Sequence, residues 1–115
     1  MSFKFESVTP DFAVAAQLLP AQLASVAAAG FRSVVNNRPD GEGGAEQPLN
    51  ATMANAARDA GLQYAYLPVI PNDFKPHEVT QMAALLAALP KPVLGFCRSG
   101  ARSANLYRAA TEAPG

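Results

Sequence analysis

A single cysteine stands in this 115-residue chain, and the residues around it make it a candidate nucleophile. Val93-Leu94-Gly95-Phe96 is an apolar run that reads as a buried strand, and Cys97 follows directly. Arg98-Ser99-Gly100-Ala101-Arg102-Ser103 then forms a short loop leading into a segment able to form a helix. That order sets a thiol at the mouth of a ring of backbone N–H groups at a helix N-terminus. Both the ring and the helix dipole favour negative charge there. They favour the Cys97 thiolate and equally an oxyanion above it, to which Arg102 can add a planar two-pronged donor. Ser99, Gly100 and Ala101 are read as backbone N–H contributors, with Gly100 free to take a positive φ or allow close approach. Arg98 either points to solvent or forms the rim.

These residues need a scaffold, and prolines and glycines divide the chain into alternating elements. Phe12 to Ala15 reads as a short strand. Pro20 opens a helix with Leu23, Val26 and Ala27 on one face, and Gly30 closes it. Phe31 to Asn36 is a strand, and residues 37–48, with three glycines and two prolines, form a mobile loop. Asn50 caps a helix running to Ala60 and stopped by Gly61. Tyr64 to Leu67 is the next strand, its tyrosines read as strand packing. Pro76 opens a helix with Val79, Met82, Leu86 and Leu89 at helical spacing. The last helix runs from about Gly100 to Thr111. Strand–helix alternation predicts one α/β domain over residues 1–115, with a central parallel sheet of four or five strands and helices on both faces. Ligand sites in such sheets lie beyond the carboxyl ends of the strands. Residues 36–40, residues 71–74 and the Cys97 loop should therefore meet at one edge.

Composition narrows the functions. Nine acidic and nine basic residues cancel, which argues against a nucleic-acid or anionic-membrane partner. Half the residues are apolar, but 24 are alanine, so the core must rely on close helix–sheet packing. One cysteine and one histidine cannot make an internal disulfide or a structural zinc site, and no metal or cofactor is expected. The N-terminus lacks the order of a signal peptide, and the longest apolar stretch, Met82 to Leu89, is too short to span a bilayer. A cytoplasmic, reducing setting is the expectation, and it would keep a thiol available. His77, just after Pro76, reads as a solvated first-turn residue.

Cys97 to Ser103 resembles the signature loop shared by tyrosine and dual-specificity phosphatases and by rhodaneses. Phosphatases place five residues between cysteine and arginine, whereas this chain places four. Rhodanese loops are of the shorter kind, and Cys-Arg-Ser-Gly-x-Arg-Ser is typical of their bacterial single-domain members. The remainder points elsewhere. Thr9-Pro10-Asp11-Phe12, residues 30–42, Gly61-Leu62-x-Tyr64 and Leu67-Pro68-Val69 resemble a bacterial phosphatase-like domain family also found fused to beta-lactamase-hydrolase-like proteins. The resemblance covers nearly the whole chain and implies a tyrosine/dual-specificity-phosphatase-like fold. It also implies that the Ser103 hydroxyl donates to the Cys97 sulfur; the alternative is an ordinary first-turn serine.

Two enzymatic chemistries fit. In a phosphatase-like hydrolase, Cys97 attacks phosphorus, the loop and Arg102 hold the oxygens, and water clears the phosphocysteine. A leaving alkoxide then needs a proton, and Asp73 is the candidate acid, with Asp40 and Glu42 as weaker alternatives. The competing reading of Asp73 is a helix cap near Pro76. Arg38 either reaches the substrate anion or pairs with Asp40. In a sulfurtransferase, Cys97 instead carries a sulfane sulfur as a persulfide, and no general acid is required. A non-enzymatic anion-binding or redox-sensing module is the third reading. The implied partner is a small anionic substrate, or a phosphorylated or persulfidated protein; oligomeric state is left open.

Overall fold

Pro20 begins a 3-10 turn at Pro20–Gln22 that continues into α1 (Leu23–Ala28), and Pro76 begins α3 (Pro76–Ala88). Proline suits both places, because first-turn N–H groups have no helical acceptor. α2 (Asn50–Asp59) ends where Gly61 takes φ +81° and the Leu62 N–H turns back to the Ala57 carbonyl at 2.9 Å. α4 (Ala101–Glu112) closes the described part of the chain; the computed structural model describes residues 2–112.

Between the helices run β1 (Glu6–Thr9), β2 (Phe12–Ala15), β3 (Ser33–Asn36), β4 (Gln63–Tyr66) and β5 (Val93–Phe96), in spatial order β1-β2-β5-β3-β4. β2, β5, β3 and β4 are mutually parallel, and β1 joins β2 as an antiparallel edge. The expected parallel sheet is therefore correct for four strands. The fifth was missing from the sequence reading.

Alternation of side chains splits the core between the two faces. Ala13, Ala15, Val34, Leu94 and Phe96 meet Leu23, Val26, Met53 and Ala57 from α1 and α2. Phe12, Val14, Val35 and Val93 meet Met82, Leu106 and their neighbours from α3 and α4. Gly95 faces α4. A Cβ there would lie 2.9 Å from Phe12 Cζ and 3.3 Å from Ser103 Cβ, so only glycine lets the first turn of α4 come this close to β5. Phe12 also stacks on Tyr107 at 4.2 Å between ring centroids, tying α4 to β2.

The parallel register aligns Ala15, Phe96, Asn36 and Tyr66 across the sheet. The residues just beyond stay tied together. Cys97 N–H donates to the Ala15 carbonyl, Asn37 N–H to Phe96 and Leu67 N–H to Asn36. One expectation fails here: Asn50 does not cap α2. The cap position is Leu49, and the Asp40 carboxylate accepts the Asn50 N–H at 2.7 Å from across the loop.

Candidate active site

Cys97 leaves β5 at this aligned edge and is 1 % exposed. Gly100, at φ +97°, turns its N–H back onto Cys97 Sγ at 3.1 Å. The turn needs glycine for its conformation, since L side chains are strained at that φ. Burial alone would push the thiol's pKa up. The Ser103 N–H and hydroxyl, then the Gly100 and Ser99 N–H groups, outweigh it and hold the pKa below the ordinary thiol value.

Arg102 lies in the first turn of α4, its side chain almost fully buried. Its two terminal nitrogens donate to both Glu42 oxygens, at 3.0 Å and 2.9 Å, and Nη1 also reaches the Val69 carbonyl at 3.1 Å. The buried Nε–H has no hydrogen-bond partner. Arg102 also lines the cavity over Cys97.

Sequence reasoning weighed Glu42 only as an acid, whereas it is the counter-ion of Arg102. It also accepts from Arg38 Nε at 2.9 Å. The Arg102 bonds lead in holding its carboxyl below the usual range, against the opposing effect of burial and with help from Arg38. Arg38 therefore pairs with Glu42 rather than with Asp40, whose carboxylate is taken by α2. Its Nη1 further donates to Gln17 Oε1 at 3.2 Å, and its N–H is held by Asn36 Oδ1. Arg38 buttresses Arg102 through their shared glutamate. No local signal marks Glu42, because its partner lies 60 residues on.

The cavity holds about 220 Å³. Arg98, Ser99, Ala101 and Arg102 form one wall, while Pro71, Asn72 and Phe74 form the other. Asn105, one turn further along α4, completes the lining and was not singled out from sequence. Arg98 is exposed at the rim. Asp73 sits on the walling loop, but its carboxylate lies against Lys75 Nζ at 3.1 Å and is 58 % exposed. Nor does Asp73 cap α3: Lys75 is the cap residue, and Glu78 Oε1 accepts its N–H at 2.7 Å. Of the residues expected to converge, Cys97, Arg98, Ser99, Ala101 and Arg102 line one cavity. Gly100 and Ser103 support the sulfur from the side.

The tyrosines do more than pack. Tyr64 Oη accepts from Asn36 Nδ2 and donates to Asn50 Oδ1, and burial pushes its pKa up to about 12. Tyr66 Oη accepts the Asp40 N–H. Both pin the segment after β3 that carries Arg38 and Glu42. Among the described residues, no group of three or more His, Cys, Asp or Glu side chains could hold a metal ion. No helix among them is long and apolar enough to cross a membrane.

The chain is similar to known proteins in sequence and in fold. Residues 4–113 match the family model described as beta-lactamase hydrolase-like protein, phosphatase-like domain. A beta-lactamase hydrolase-like protein from Xylella fastidiosa is 34% identical over 104 residues, which is 90% of this chain and 24% of that protein. The chain thus spans about a quarter of such relatives. A crystal structure of a candidate phosphatase from Neisseria meningitidis superposes with a TM-score of 0.82 at 28% identity, covering 95% of this chain and 78% of that one. The fold also matches TpbA of P. aeruginosa in complex with pTyr, with a TM-score of 0.68 at 17% identity, over 96% of this chain and 65% of that one.

Proposed function

The chain belongs to the phosphatase-like domain family of beta-lactamase hydrolase-like proteins, and on that premise we propose that it is a cysteine-dependent hydrolase of phosphate esters. The observation that carries the reading is that Cys97, its thiol pKa held below the ordinary value, and Arg102, whose buried guanidinium keeps one Nε–H without a partner, line the same small cavity. The Cys97 thiolate attacks phosphorus and displaces the alkoxide or phenoxide. The loop N–H groups and Arg102 hold the non-bridging oxygens, with Arg98 at the rim. Water then attacks the phosphocysteine, releasing phosphate and restoring the thiolate. Asp73 supplies the leaving group's proton. Its exposed contact with Lys75 is of a kind worth only about 0–1 kcal/mol, so exchanging it for a substrate costs little. Arg38 acts on the anion through Glu42 and Arg102.

A second reading has its own support. Only four residues separate Cys97 from Arg102, and no carboxylate lines the cavity. Both features suit transfer of a sulfane sulfur, in which thiosulfate gives its terminal sulfur to Cys97 and departs as sulfite without needing a proton. The acceptor is then a second thiol or cyanide. A side-by-side assay with an aryl phosphate, and with thiosulfate plus cyanide, separates the two. The hydrolase reading expects aryl phosphate turnover that Cys97→Ser abolishes. Turnover of thiosulfate alone would replace it with sulfur transfer.

A further inference from the structure

Beside the thiol lies a buried hydrogen-bond chain that the reaction as described leaves unused. Asn37 is fully buried, its N–H donates to the Phe96 carbonyl at 2.9 Å, and its side-chain Nδ2–H donates to the Leu67 carbonyl at 2.9 Å. A carbonyl can only accept, so these contacts fix which way the amide points, and Oδ1 must accept. The group that meets Oδ1 is the Ser103 hydroxyl, at 2.8 Å and equally buried. A hydroxyl has one proton to give. Ser103 therefore cannot give that proton to Asn37 and to the sulfur at once; the bond to Asn37 is the one formed in this structure, while the Ser103 hydroxyl and N–H together hold the thiol pKa down.

We propose that Asn37 is a positioning residue that competes with Cys97 for the Ser103 proton, so that this proton moves between Asn37 Oδ1 and Cys97 Sγ as charge on the sulfur disappears and returns. With the sulfur neutral, as thiol or as covalent intermediate, the hydroxyl donates to Asn37. When the sulfur is anionic, the hydroxyl turns to it and Asn37 Oδ1 gives up its donor. No covalent bond changes in that rotation. The buried oxygen left without a donor opposes thiolate formation. Asn37 thereby keeps the thiolate more basic, and a better nucleophile, than Ser103 alone would leave it. The value of this setting for turnover rests on Cys97 being the nucleophile, but the proton competition itself does not.

Few other groups face the sulfur. α4 brings Arg102, paired with Glu42, and the loop brings Arg98. β2 and the segment over the cavity bring Ala15, Pro71, Asn72 and Phe74, all uncharged, and Asp73 lies on Lys75. The charges are therefore the same whichever way the hydroxyl points.

The test reads the thiol without substrate, so it stands apart from any failure of the phosphatase reading. The pH midpoint of Cys97 alkylation by iodoacetamide should drop by about one pH unit in Asn37→Ala, because an unopposed hydroxyl then serves the thiolate. It should rise in Ser103→Ala, and adding Asn37→Ala to that variant should move it no further. A shift of the same size in both backgrounds, or an upward shift in Asn37→Ala alone, would overturn the proposal. A second reading needs no change at Asn37. The carboxamide carbon shift of Asn37 in the unaltered protein should titrate with the thiol and stay flat in Cys97→Ser. A flat trace in the unaltered protein would equally overturn it.

Discussion

Arg102 and Glu42 share two parallel hydrogen bonds, 2.9 Å and 3.0 Å long, that span 60 residues of sequence and leave Arg102 Nε as the buried guanidinium nitrogen with no partner. The pair fixes the plane of the guanidinium, and with it the direction of that remaining N–H. Glu42→Gln keeps the shape but removes the charge and one of the two acceptors. Turnover of any oxyanion substrate should fall about ten- to a hundredfold, the scale expected when a positioning contact is loosened. Arg102→Lys should damage it further, because lysine lacks the planar fork. Steady-state rates for both variants check this. The pair should also appear in the acid unfolding curve. Glu42 has its folded-state pKa lowered, so its stabilisation is present above the ordinary carboxylate range and is lost as pH falls through the folded value. Melting temperature followed from neutral pH downward should lose part of that acid dependence in Glu42→Gln.

Asp73 separates the two chemistries. If the native reaction is phosphoryl transfer, Asp73→Asn should slow cleavage of an unactivated ester by roughly a hundredfold or more. An activated aryl ester, whose leaving group barely needs a proton, should be affected much less. Sulfur transfer from thiosulfate should be unchanged. Matched rates on the three donors check it, and an unactivated ester that turns over equally well in both proteins would remove Asp73 from the reaction.

Gly95 tests the link between sheet and site. In Gly95→Ala the new methyl would meet Phe12 Cζ at 2.9 Å and Ser103 Cβ at 3.3 Å. Either the ring or the first turn of α4 must shift, and such overpacking typically costs about 1–3 kcal/mol. Denaturant melts should show that loss, and the Cys97 alkylation midpoint should rise as Ser103 moves from the sulfur. Unaltered stability with an unaltered midpoint would mean that α4 is not held by this contact.

The elements that position the site were readable because local chemistry marks them. Pro20 and Pro76 stand where a helix can spare an N–H, Gly30 and Gly61 stand where a chain must reverse, and β5 is a continuous apolar run ending on the thiol. β1 went unseen because Glu6–Thr9 is an edge strand with exposed and half-buried residues, so it carries no core-facing alternation. Glu42 and Asn37 were missed as supports of the site for a different reason. Their roles exist only once the segment after β3 closes over α4, and nothing in Arg38-Pro39-Asp40-Gly41-Glu42 distinguishes the carboxylate that reaches Arg102 from the one that caps α2. Asp73 shows the reverse. Its place on a loop over the cavity was legible, but the direction of its carboxylate depends on Lys75 and on a backbone turn at Asn72, where φ is +61°.

The most direct measurement is to quench the reaction in acid during turnover and locate any covalent adduct by peptide mass spectrometry. With an aryl phosphate, the account predicts one phosphoryl group on the peptide containing Cys97, appearing during turnover, absent from Cys97→Ser and accumulating when the water step is slowed. A sulfur atom on Cys97 from thiosulfate, with no phosphoryl adduct and no ester turnover, would keep the nucleophile and replace the reaction. Steady ester turnover that survives in Cys97→Ser, with no adduct on the Cys97 peptide, would contradict the central claim.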